Sequence, residues 1–135
     1  MIPVQQTPAI GGGDHANGDC LAACLASILE VQIGTMTVPH TDEWWLYVIR
    51  NLARFGKTAA HFMGGQLDPP NAHWIAHVPS RNMAEHAPGI PVLHALVMHH
   101  TTVAHDPSNH NRYELGTPLH RLDVRSGILI LPLNT

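Results

Sequence analysis

At 135 residues the chain has the length of one domain, residues 1–135, and 44% apolar residues are enough for a modest core, which excludes a disordered or fibrous protein. Only 13% of residues are charged and the formal net charge is −3 with neutral histidines, so no basic footprint for nucleic acid is present. No apolar run approaches the ~20 residues that span a bilayer, and Met1 to Gln6 carry neither a basic region nor a long apolar one, so a cytoplasmic protein with no membrane partner is expected.

Two cysteines four positions apart cannot build a disulfide framework, which leaves packing, metal ligation or chemistry for them. Twelve histidines are the unusual count: protonating all of them would move the net charge from −3 to +9.

The first eighteen residues, with Pro3, Pro8, Gly11 to Gly13 and Asn17-Gly18, suit neither a helix nor a central strand and predict an extended arm laid over the body. From Asp19 to Glu30, Leu21, Leu25, Ile28 and Leu29 recur at helical spacing, with Asp19 as N-cap. A second helix is predicted from an N-cap at Thr41, with Asp42 and Glu43 in its first turn, to a stop at Gly56, its apolar face marked by Trp45, Val48, Leu52 and Phe55. Beyond residue 57 the period changes. His73 to Val78 alternates as a strand does, and Val92 to Met98, Thr102 to His105 and Gly127 to Leu133 are short apolar runs between turn-forming clusters. Residues 64–72, 80–91 and 107–118 read as connections. The order predicts an α+β domain, with N-terminal helices packed on one face of an antiparallel sheet.

Cys20 falls in the first turn of the first predicted helix, where free N–H groups and the macrodipole favour a thiolate, the nucleophilic form of cysteine. Cys24, one turn further in, falls on the apolar stripe and reads as packing. A cysteine nucleophile needs a histidine to hold its proton and a third group to orient the histidine. His94 and Asp106 offer that pair. With His99-His100-Thr101 as a three-residue loop, Met98 faces Thr102 and His94 faces Asp106 across a hairpin, within reach of a hydrogen bond. A slip of one residue would send them to opposite faces.

The order of helix-start cysteine, strand histidine and aspartate resembles the papain-like fold. Gln6-Thr7 upstream of Gly18-Asp19-Cys20-Leu21-Ala22-Ala23-Cys24 resembles the start of the peptidase domains of bacteriocin-exporting ABC transporters. Trp74 to Asn82, His94 to Met98 and His105-Asp106-Pro107-Ser108 resemble small papain-like proteins of bacteriophages and actinobacteria. The resemblance implies a cysteine hydrolase working through a thioester, without cofactor or metal, on a peptide, amide or protein C-terminal tail, in the host cytoplasm if phage-encoded. It also implies that a glutamine shares the oxyanion hole with the Cys20 N–H; Gln6 matches that role best, fourteen positions upstream, and Gln5 is its rival. Transglutaminase-like and arylamine acetyltransferase-like enzymes use the same residue types in the same order, so acyl transfer stays open.

Two readings compete. One is a catalytically silent binding module that keeps the fold. The other is a histidine-rich metal protein built on His73 and His77, or on His99, His100, His105 and His110. Along a strand, however, an offset of four separates two residues by ~13 Å, and no HExxH or paired Cys-x-x-Cys motif is present. Trp44 and Trp45 read as helix packing rather than a substrate groove.

Overall fold

A computed structural model describes residues 1–5, 20–38, 41–64, 68–79, 93–108 and 113–133. It contains two α-helices, α1 (Cys20–Leu29) and α2 (Trp44–Ala53), and five strands: β1 (Lys57–Met63), β2 (His73–Pro79), β3 (Leu93–His99), β4 (Thr102–His105) and β5 (Ser126–Pro132). The strands form one antiparallel sheet in the order β1-β5-β2-β3-β4, with short 3-10 helices at Ile33–Thr35 and Leu119–Arg121. The α+β architecture of helices on an antiparallel sheet is therefore present.

Helix α1 follows its apolar spacing closely. It ends where Glu30 takes a left-handed conformation (φ 60°) and the Val31 N–H reaches back to the Ala26 carbonyl at 3.0 Å, satisfying a carbonyl that the helix leaves open. Asp19, its predicted cap, lies outside the described residues. Helix α2 starts two residues later than predicted, its N-cap being Glu43 rather than Thr41. Thr41 folds its own turn instead of capping the helix: its carbonyl accepts from the Trp44 N–H at 3.1 Å and its hydroxyl from the Glu43 N–H at 3.3 Å. Asp42 and Glu43 consequently precede the helix. Gly56, at φ +70°, ends the turn after it, in a conformation that favours glycine.

Helix α1 packs on β3 and α2 on β1. Between helices and sheet lies one core, with Leu25, Val48, Leu52, Ile75, Val97 and Ile128 buried in it. The opposite face of the sheet carries Trp74, Val78, Leu96, Met98, Val103 and Leu129, and residues 113–124 cover it with Tyr113, Leu119, Leu122 and Val124. This second layer explains why β2 and β3 are buried almost continuously rather than on alternate residues. Each large apolar side chain so enclosed contributes ~1.5–3 kcal/mol.

The stretch expected to be a plain loop over 107–118 also does more than connect. Its end pairs with β4: Val103 N–H donates to the Thr117 carbonyl at 3.0 Å, Gly116 N–H donates to the Val103 carbonyl at 2.8 Å, and Thr102 bridges Pro118. One sheet edge is thereby closed. Strand β1 has no counterpart among the predicted strands. No helix among the described residues is long and apolar enough to cross a membrane.

The described part of the N-terminal arm, residues 1–5, lies along α1. The Ile2 N–H donates to the Ser27 carbonyl at 3.1 Å. Val4 is held at both polar atoms, its N–H donating to Ser27 Oγ at 2.9 Å and its carbonyl accepting from His105 Nε2 at 2.7 Å. Ser27 Oγ in turn donates to the Ala23 carbonyl at 2.8 Å. Ser27 and His105 are both buried, so these bonds remove polar groups that would otherwise be costly.

Candidate active site

Cys20 is the first residue of α1 and is partly buried. Its position leaves the first helical N–H groups, which have no partner within the helix, around the sulfur. Cys24 sits one turn deeper and is fully buried. Burial pushes its thiol well up, and the charges of Cys20 and Asp106 push in the same direction, so Cys24 stays protonated and inert.

His94 lies near the start of β3 and Asp106 directly after β4. They meet: His94 Nε2 is 2.6 Å from Asp106 Oδ1, and both side chains are buried, at 6% and 7% exposure. The carboxylate is fixed from three sides, because Oδ1 also accepts from the Ser108 N–H at 2.9 Å and Oδ2 accepts from the Tyr113 N–H at 2.7 Å. Tyr113 is anchored in turn by its hydroxyl, which donates to the Pro79 carbonyl at 2.7 Å, so the residue orienting His94 is tied to the end of β2. Nothing in the sequence pattern pointed to Tyr113 or Ser108. Their contribution is a backbone N–H, which every non-proline residue carries.

The hairpin that brings the pair together differs from the predicted one in two places. Its turn has two residues, His100 and Thr101, with His99 opposite Thr102 and His100 at φ 51° in place of a glycine. A bulge then shifts the register, so that Met98 faces Val103 but Val97 faces His105. The shorter turn slips the pairing by one residue and the bulge by one more. Extended past His105, this register puts Asp106 diagonally across from His94 rather than directly opposite it. A shift of two preserves the face, and a diagonal neighbour remains within reach of a long side chain.

Cys20 lies close enough to His94 to act on its charge. Burial alone pushes the His94 pKa down, but the hydrogen bond with Asp106 and the nearby Cys20, reinforced by their charges, raise it from 6.5 to about 9. Since Nε2 is engaged with Asp106, Nδ1 is the nitrogen left for the sulfur. A carboxylate thus orients the imidazole, and the imidazole lies near the thiol.

A second group of rings lies beside this line. His77 on β2 places Nδ1 3.0 Å from Ser126 Oγ, and burial, then the charges of His61 and His94, lower its pKa to about 4, so it is neutral at physiological pH. Trp44 meets His77 and His61 edge-on, with ring centres 6.2 and 5.4 Å apart, and Trp45 lies 5.5 Å from His61. Both tryptophans are partly buried and pack against the core, as helical aromatics usually do, yet they reach the histidines of β1 and β2 as well. Helical spacing alone gave no sign of that contact.

Of the oxyanion candidates, Gln5 is exposed and Gln6 lies outside the described residues. Among the described residues no group of three or more His, Cys, Asp or Glu side chains is arranged to hold a metal ion. No protein-family model matches the sequence, and no curated protein matches it. The arrangement places a thiol at a helix start near an imidazole whose orientation a buried carboxylate fixes.

Proposed function

We infer that the protein is a cysteine hydrolase of papain-like fold, using Cys20, His94 and Asp106 as a triad. The observation that carries this reading is the bond of His94 Nε2 to a buried, triply bonded Asp106, with Cys20 at the start of α1 near enough to act on the same imidazole. Asp106 holds the tautomer in which Nε2 carries a proton, leaving Nδ1 to take the thiol proton. The sulfur then attacks a carbonyl carbon, and the resulting oxyanion is held by the Cys20 N–H and a glutamine, Gln6 or Gln5. Collapse returns the His94 proton to the leaving amine and forms a thioester. Water, deprotonated by His94, attacks the thioester, releasing the acid and restoring the thiol. An amine in place of water would give acyl transfer through the same intermediate.

The substrate class we propose is a small amide or an exposed peptide tail, met in the cytoplasm. The test is iodoacetamide labelling with mass mapping, run on the wild type and on His94→Ala. Fast labelling of Cys20 alone below pH 7, lost on removing His94, is expected. Cys20→Ala is expected to abolish turnover of amide substrates with the fold intact, and Cys24→Ala to retain it. Equal, slow labelling of both thiols would leave a structural cysteine and favour a silent binding module.

A further inference from the structure

The triad occupies one end of the β2–β3 pair. The other end carries a cluster that the proposed chemistry does not use. His73 and His99 are direct register partners on the antiparallel strands, and their ring centres lie 4.8 Å apart at an interplanar angle of 63°. His99 is exposed and His73 half-exposed, so the pair is open to solvent. His94 and His99 are five positions apart on β3, or ~17 Å along a strand, which separates this pair from the thiol.

We propose that His73 and His99 form a bidentate site for a borderline divalent transition ion of the Zn2+, Ni2+ and Cu2+ class. Spacing along the chain hides the site, because each histidine finds its partner on the neighbouring strand rather than four positions away on its own. The geometry fits the chemistry. With a metal–nitrogen bond of about 2.0–2.1 Å and a ring centre about 1.1 Å behind the nitrogen, two imidazoles sharing one ion at 90–109° have centres about 4.5–5 Å apart. The observed 4.8 Å lies in that interval.

Imidazole is a good ligand for these ions only when neutral. The supporting frame is also fixed: the Trp74 indole N–H donates to the His100 carbonyl at 2.8 Å, and the His100 N–H donates to the Ala72 carbonyl at 3.1 Å, tying the residues next to both histidines across the strand ends. Two protein ligands leave the remaining coordination positions to water or an external anion. This inference stands apart from the cysteine chemistry, and either can fail without the other.

The test is calorimetric titration of the full-length protein with NiCl2 and with ZnCl2 in a non-coordinating buffer, repeated on His73→Ala, His99→Ala, the double variant and His120→Ala. His120 is exposed and belongs to neither site. One equivalent is expected to bind the wild type and His120→Ala alike. Each single variant is expected to weaken that binding about tenfold or more, since a lost ligand costs at least what a lost outer partner does. The double variant should be little worse than either single one, because a chelate is gone once one arm is removed. Thermal unfolding followed in parallel should show the metal raising Tm of the wild type and of His120→Ala, and not of the variants lacking His73 or His99. Absence of binding to the wild type, or a one-equivalent site that survives in both single variants, would overturn the assignment.

Discussion

Replacing Asp106 by asparagine keeps the shape of the side chain but removes its charge and one of its two acceptor oxygens. In the native protein those oxygens receive three donors: His94 Nε2, the Ser108 N–H and the Tyr113 N–H. An amide turned to keep its oxygen on His94 leaves the Tyr113 N–H facing an NH2 group, and the reverse orientation does the same to His94 and Ser108. At least one donor is stranded either way, for ~1–3 kcal/mol of stability. The larger effect falls on His94. Holding an imidazole at about 9 instead of 6.5 takes ~3 kcal/mol of preference for the imidazolium, and with the carboxylate charge gone, burial is left to push the other way. His94 in Asp106→Asn should therefore titrate at least two pH units lower, and the imidazolium beside Cys20 near pH 7 should fall from nearly all of the population to about half or less. NMR of the His94 ring across pH measures the first, and the pH–rate profile of Cys20 alkylation the second. Cys24, buried with its thiol pushed up, is the internal control and should stay unlabelled in both proteins. An unchanged His94 titration together with a wild-type alkylation rate would refute the role given to Asp106.

Further outcomes follow from other contacts. The His77 pKa is lower in the fold, about 4, than the 6.5 of an unfolded chain, so the unfolded state takes up a proton that the folded state refuses. Stability should fall by up to ~3 kcal/mol as pH drops from 6.5 to 4, and urea midpoints of His77→Gln should lack that slope; His94, raised rather than lowered, acts in the opposite window, between 6.5 and 9. Gly127→Ala would put a Cβ 2.1 Å from the Phe62 ring and 2.9 Å from the Ile75 carbonyl oxygen, and should cost ~1–3 kcal/mol in a urea melt. Ser27→Ala removes the acceptor of the Val4 N–H and should cost ~1 kcal/mol while accelerating exchange of the Val4 amide; unchanged protection would show that the arm is held by other means.

The residues that could be read from sequence are those whose neighbours are set by periodicity. Leu21, Leu25, Ile28 and Leu29 place α1 within a residue at each end, and with it Cys20 at a helix start. The apolar runs of β2, β3, β4 and β5 were equally visible. Strand β1 was not: Lys57-Thr58-Ala59-Ala60-His61 has little of the β-branched or aromatic bias of a strand, and its burial does not alternate. The start of α2 was misplaced because Thr41 looks like a cap but satisfies its groups in a turn. For the site, sequence offered His94 and Asp106 as a pair through a register that does not occur. Their meeting depends on a bulge at the turn side of His105, and nothing in Val103-Ala104-His105 announces it. The fixing of Asp106 by two backbone N–H groups, and the partnership of His73 with His99, arise only from the fold.

The bond between His94 and Asp106 spans 12 positions, whereas Cys20 and His94 are 74 apart. Closing the shorter loop costs roughly 1.6 kcal/mol less chain entropy. His94 and Asp106 can therefore come together within one hairpin, while Cys20 arrives only when α1 docks on the sheet. The two halves of the chemistry belong to different stages of assembly, and dependence of Cys20 alkylation on His94 becomes a marker of the last one: a chain halted before helix docking would hold a formed base with nothing to activate.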